Sequence, residues 1–211
     1  MNLDCKELSK ELGIIVAAAL VIGYSVSMFD RSLMLSSIIS FFIILLTNLA
    51  SKKIVAYNLE SDIKTRFWAW EYYWFGSYDR FKKPIPMIWI PLFASLLTKA
   101  NLFWLAVLEY DITPRTERVS KRHGLYRFSQ MTDWHISLIT GAGVVANLVL
   151  AFAGYLIGFE YFARLSIYFA LWSLIPISSL DGSKILFGSR ILWVTLVTAM
   201  AILLSYGIII S

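Results

Sequence analysis

The sequence predicts an all-α integral membrane protein, a multi-pass helical bundle with one re-entrant segment. Three observations lead there. Hydrophobic residues make up 58% of the 211 positions and mean hydropathy is +0.68, against roughly 45 to 50% apolar residues in soluble domains. The apolar residues are gathered into runs, several of them near the ~20 residues that a helix needs to cross a bilayer. The basic residues fall in clusters between those runs, where headgroups and topology account for them. The formal net charge of +5 therefore implies the lipid bilayer as partner, and not nucleic acid. Cys5 cannot form an internal disulfide, and two histidines with one cysteine leave little material for a metal site.

In chain order, the N-terminal MNLDCKELSKELG carries three acids, and no small-residue cleavage site follows the first apolar run. That run, 12–29, is therefore expected to stay in the membrane as an anchor. A second, 33–50, follows after Asp30-Arg31 and forms an antiparallel hairpin with the first. It turns polar at Thr47, Asn48 and Ser51 before the basic pair Lys52-Lys53. The aromatic stretch FWAWEYYWFGSYDRF, from Phe67 to Phe81, suits an interfacial belt, where Trp and Tyr rings are half wet. Pro84 to Leu108 is apolar but broken by Pro84, Pro86 and Pro91 and then by Lys99 and Asn101. A basic loop with Arg115, Arg118, Lys121, Arg122 and Arg127 comes next, and three further spans are expected over 135–158, 165–180 and 191–210.

The charges decide how 84–108 runs. If it crossed, ten basic residues would lie on one side and eight on the other, which gives no orientation. If it is re-entrant, sixteen collect on one side, leaving Arg31 and Arg164 opposite and Lys99 within the hairpin. The positive-inside rule selects the second arrangement. It makes 1–211 a single membrane domain of five spans, with 51–134 and 181–190 cytoplasmic. The membrane would be the plasma membrane in a prokaryote. Thr47 to Ser51 and Ser178 to Gly182 are then on the same face and can meet.

The segment LWSLIPISSLDGSKI interrupts an apolar run: Pro176 removes a backbone donor, Ser178 and Ser179 offer hydroxyls, and Asp181-Gly182 supplies a turn. An acid at that depth is a functional candidate. The plainer reading is a turn with Lys184 close enough to neutralise the acid. Likewise Thr47, Asn48 and Ser51 can simply satisfy helix-end carbonyls or bond a neighbouring helix, and Gly154 with Gly158 matches a small-xxx-small packing pattern that is common by chance.

SLIPISSLDGSKI resembles the third motif of the site-2 protease family of intramembrane zinc metalloproteases, Asn-x-x-Pro-x-Pro-x-Leu-Asp-Gly, whose aspartate binds zinc. LLTNLASKKIVA sits where that family has its H-E-x-x-H helix, and Gly141-Ala142-Gly143-Val144-Val145-Ala146-Asn147-Leu148 resembles its Gly-Pro-x-x-Asn element. The resemblance covers about residues 35 to 190. It implies a site-2-protease-like core, zinc in active members, and a groove that admits a transmembrane helix, here with Asn147, Ser173, Pro176, Ser178 and Gly182 as candidate groove residues.

The residues themselves speak against the family's chemistry. Two imidazoles at i and i+4 bind zinc and the glutamate between activates water, whereas the matching positions here are Thr47, Asn48 and Ser51. A hydroxyl is a poor zinc ligand and an amide takes no proton from water, so Asp181 alone is retained of the ligand set. Neither catalytic residues nor a metal is expected. His123 and His135 form neither an i, i+3 nor an i, i+4 pair, and His135 reads as a residue capping or packing at a helix start. The expectation is a pseudoprotease that binds transmembrane helices of partner proteins. The alternatives are an active intramembrane metallopeptidase with a displaced ligand set, or a transporter or channel component, for which broken polar helices are also typical although no internal repeat is evident.

Overall fold

The computed structural model describes residues 5–28, 30–72, 80–99, 102–115 and 132–210. Helices dominate: α1 (Cys5–Val26), α2 (Met34–Asn58), α3 (Ile90–Leu97), α4 (Asp133–Ile157), α5 (Glu160–Leu174), α6 (Asp181–Gly188) and α7 (Arg190–Ile210). Among the described residues four strands interrupt them, so the fold is not all-α: β1 (Ser61–Phe67), β2 (Ala69–Tyr72), β3 (Arg80–Pro86) and β4 (Leu108–Pro114). β1 pairs with β4, and β2 pairs antiparallel with β3, with Ala69 opposite Pro86 and Trp70 opposite Ile85. β1 alternates buried Ser61, Ile63 and Thr65 with exposed Asp62, Lys64 and Arg66, the period of two that a half-buried strand requires.

Leu8–Val26, Arg31–Asn58 and Asp133–Ile157 are long and apolar enough to cross a membrane; Met87–Leu97 and Arg190–Ser205 are shorter apolar helices. Several expected bounds shift. α2 does not end at Ala50 but runs on through Lys52 and Lys53 to Asn58, because Ile54, Val55 and Ala56 continue its apolar content. The span expected at 165–180 begins earlier, at Glu160, and stops at Leu174. Pro176 is the cause: the residue before a proline is pushed out of the helical region, and Ile175 is extended at ψ 123. The indole Nε1 of Trp193 donates to the carbonyl of Leu174 (2.9 Å), which the broken helix leaves without an intrahelical donor. Ser178 then takes φ 49 in the turn leading to α6.

Pro84 to Leu108 is neither one helix nor one strand. It closes β3, passes through a 3₁₀ turn at Met87–Trp89, forms α3 with Pro91 in its first turn, and returns through 102–107 to β4. Eight residues rise about 12 Å, too little for a crossing; Asn101 lies outside the described residues. The expected aromatic belt is only partly such. Trp68 is fully buried, stacked on Trp104 at 5.9 Å and edge-on to Trp70 at 5.7 Å, and residues 73–79 of the stretch lie outside the described residues.

Two compact units are formed, one from Met1–Phe42 with Thr65–Glu109, the other from Ile43–Lys64 with Tyr110–Ser211. In the first, Ile15, Ala18, Ala19 and Ile22 of α1 are buried with Trp68, Leu105 and Val107. Ser95 of α3 hydrogen-bonds Ser25 of α1 (3.3 Å). In the second, Val144 and Leu148 of α4, Ala170 and Leu174 of α5, Ile185 of α6 and Leu196 and Met200 of α7 make one apolar cluster.

Candidate functional site

The second unit also holds a polar cluster inside its apolar surroundings. Lys52, on the last turns of α2, is 0% exposed, and its Nζ donates to Asp181 Oδ2 at 2.5 Å. The same ammonium lies 3.5 Å from the centroid of the Tyr110 ring on β4, within the range of a cation–π attraction. Asp181 is the first residue of α6, and Leu180 before it offers no side-chain cap. The carboxylate therefore sits at the positive end of that helix as well as against the ammonium.

Glycines let the elements close on this point. A Cβ on Gly143 would lie 2.5 Å from Lys52 Cε and 2.7 Å from Asn48 Nδ2, so α4 passes directly over the lysine stem and the carboxamide one turn before it. A Cβ on Gly182 would strike the backbone of Ile175 and Leu174, so only glycine lets α6 start against the broken end of α5. Asn48 and Asn147 are fully buried, and neither carboxamide has a hydrogen-bond partner; Asp181 Oδ1 has none either.

Two of the expected site residues fall in this cluster: Asp181, and Asn48 of the three degenerate positions. Thr47 is half-buried, and the Ser51 hydroxyl donates to the Asn48 carbonyl of its own helix (2.9 Å). Thus the two interrupted segments do meet, but through Lys52. Of the groove residues, Asn147, Ser173 and Gly182 are buried, while Pro176 and Ser178 are exposed. Asn147 accepts at its backbone carbonyl from Ser166 (2.8 Å), and the Ser173 hydroxyl is spent on the Phe169 carbonyl (2.9 Å). Lys184 does not neutralise Asp181 by direct contact; its ammonium donates to the Tyr110 carbonyl (2.6 Å). His135 lies at the helix start without capping it: its Nδ1 is hydrogen-bonded to the Thr132 hydroxyl, and no side chain caps the first turn of α4. His123 lies outside the described residues.

Sequence reasoning missed Lys52 and Tyr110. In the sequence Lys52 reads as one more charge of the basic loop after the second apolar run. The signal was its spacing: Asn48 and Lys52 are i and i+4 and share one helix face.

The donor set does not fit a zinc ion. Among the described residues no three His, Cys, Asp or Glu side chains come together, and one oxygen of the single carboxylate at hand holds the lysine. A lysine ammonium has no lone pair to offer a metal. No protein-family model, curated protein or solved structure matches the chain.

Proposed function

We propose that the chain is a catalytically inactive, site-2-protease-like membrane protein, a pseudoprotease whose bundle binds transmembrane helices of partner proteins. One observation carries the reading: the carboxylate that resembles the family's zinc ligand is paired with the side chain of the chain's own Lys52 at 2.5 Å. An internal cation so placed neutralises the acid and holds α2 to α6. The buried carboxamide of Asn48, at the position of the family's glutamate, cannot act as a base. For helix binding the support is an apolar stripe on α4, where Val145, Val149, Phe152 and Leu156 are exposed at the spacing of one helix face.

Zinc analysis of the purified protein and a cleavage assay on membrane-helix substrates test the reading. The expected result is substoichiometric zinc, a thermal transition unmoved by chelator, and no cleavage. Stoichiometric zinc, or cleavage that is lost in Asp181→Ala, overturns it in favour of an active peptidase with displaced ligands.

The proposed topology is five crossings with 51–134 and 181–190 cytoplasmic, and 84–108 entering and leaving on that side. In a Cys5→Ser background, Ser120→Cys should react with membrane-impermeant thiol reagents from the cytoplasmic face alone; labelling from the other face rejects the re-entrant arrangement.

A further inference from the structure

We propose that the second unit carries a binding site for the headgroup of a phospholipid with a primary amine, of the phosphoethanolamine class. The site is a cavity of about 260 Å³ whose lining includes Asp133 at the start of α4, Ser178 in the turn before α6, and Ser183, Lys184 and Phe187 on α6. Depth comes first. A helix of 25 residues (α4) is about 37 Å long, longer than the ~30 Å hydrocarbon core, so its first residue lies at headgroup level. The surroundings are those of a lipid-facing surface: Phe187 and Ile191 are 83% and 80% exposed, and Trp134 is 49% exposed. A soluble ligand has no use for these rings and branched chains, whereas acyl chains do.

The polar lining selects the headgroup. Ser183 is only 6% exposed and lines the cavity. Its hydroxyl can donate to a phosphate oxygen. Ser178, held at φ 49 in the turn, lines the same cavity. Lys184 spends one of its three donors on the Tyr110 carbonyl, and its charge remains in the lining. Asp133, exposed and acidic, is the feature that excludes a simple anion site: it repels inorganic phosphate but accepts hydrogen bonds from a primary ammonium. A cation and hydroxyls for the phosphate, with a carboxylate for the amine, match a zwitterion. A choline headgroup carries no N–H to donate to Asp133.

The inference is independent of the reading of the polar cluster around Lys52. Native mass spectrometry of the full chain, released from nanodiscs of mixed phosphatidylethanolamine and phosphatidylcholine, tests it. One phosphatidylethanolamine should be retained per chain, preferred over phosphatidylcholine by about fivefold, the worth of one charge-assisted hydrogen bond at a partly exposed site. Asp133→Asn should abolish the headgroup preference while Ser183→Ala weakens retention of both lipids. Arg164→Gln, at the far end of α4 on the neighbouring helix, should do neither, and thermal unfolding reports whether each variant is folded. Equal retention of the two lipids by the unaltered chain, or a preference indifferent to Asp133→Asn in a folded variant, overturns the proposal. So does displacement of the lipid by soluble glycerophosphoethanolamine at comparable concentration, which would assign the cavity to a free zwitterion.

Discussion

Lys52→Met should lower the stability of the protein in detergent by about 3–5 kcal/mol, the usual consequence of leaving one member of a buried ion pair without the other. Methionine keeps a stem of similar length beside Gly143 and Tyr110, so the loss reports the charge and not the packing. Asp181→Leu should cost a similar amount for the mirror reason, an ammonium at 0% exposure with no carboxylate. The double variant is the informative one. Taking both charges out of an apolar interior removes the desolvation penalty along with the attraction, and such replacements are often neutral or stabilising. The double variant should therefore unfold at a denaturant concentration well above either single one. Two single losses that simply add in the double variant would show that Lys52 and Asp181 do not stabilise each other.

Gly182→Ala is expected to have the second largest effect. The added methyl meets the main chain of Ile175 and Leu174, which cannot rotate aside as a side chain can. Overpacking of this kind costs about 1–3 kcal/mol and at times more. Relief can come only if the start of α6 moves off the end of α5, and that displaces Asp181 from Lys52. Gly182→Ala should therefore be less damaging in the Lys52→Met/Asp181→Leu background than in the native one, a coupling that a double-mutant cycle measures. Gly143→Ala makes a useful contrast, since its methyl strikes the end of the Lys52 side chain. Equal effects of Gly182→Ala in both backgrounds would separate the glycine from the ion pair.

The apolar runs made the long helices legible, since a span needs only length and the absence of charge. α1, α2 and α4 fall where the sequence places them to within a few residues at most ends. The ends of α2 and α5 were less legible for opposite reasons. Lys52 looks like a terminator, yet in a folded bundle its charge is met by an acid far along the chain, so the helix continues. The run through Leu180 looks continuous by hydropathy, yet Pro176 stops the helix by steric exclusion that hydropathy does not register. The strands were legible in principle. SDIKTRF alternates in period two, but its charges hide the pattern among the surrounding basic residues, and the partner strand lies 41 residues or more away.

Of the site, Asp181 and Asn48 could be picked out because polar atoms inside apolar runs are costly and so conspicuous. Tyr110 could not, since a tyrosine beside a basic loop is unremarkable in sequence. Only the pairing of β1 with β4, which no local pattern dictates, brings its ring under the ammonium.

The two halves of the ion pair are separated by 129 positions. At a synthesis rate of roughly 5–20 residues per second, the lysine emerges about 6 to 26 s before its acid does. During that interval the ammonium in the last turns of α2 has no carboxylate to meet it. The carboxylate that holds Lys52 is thus the last part of the cluster to be made. A ribosome that stopped short of Asp181 would leave the ammonium with the Tyr110 ring and no carboxylate.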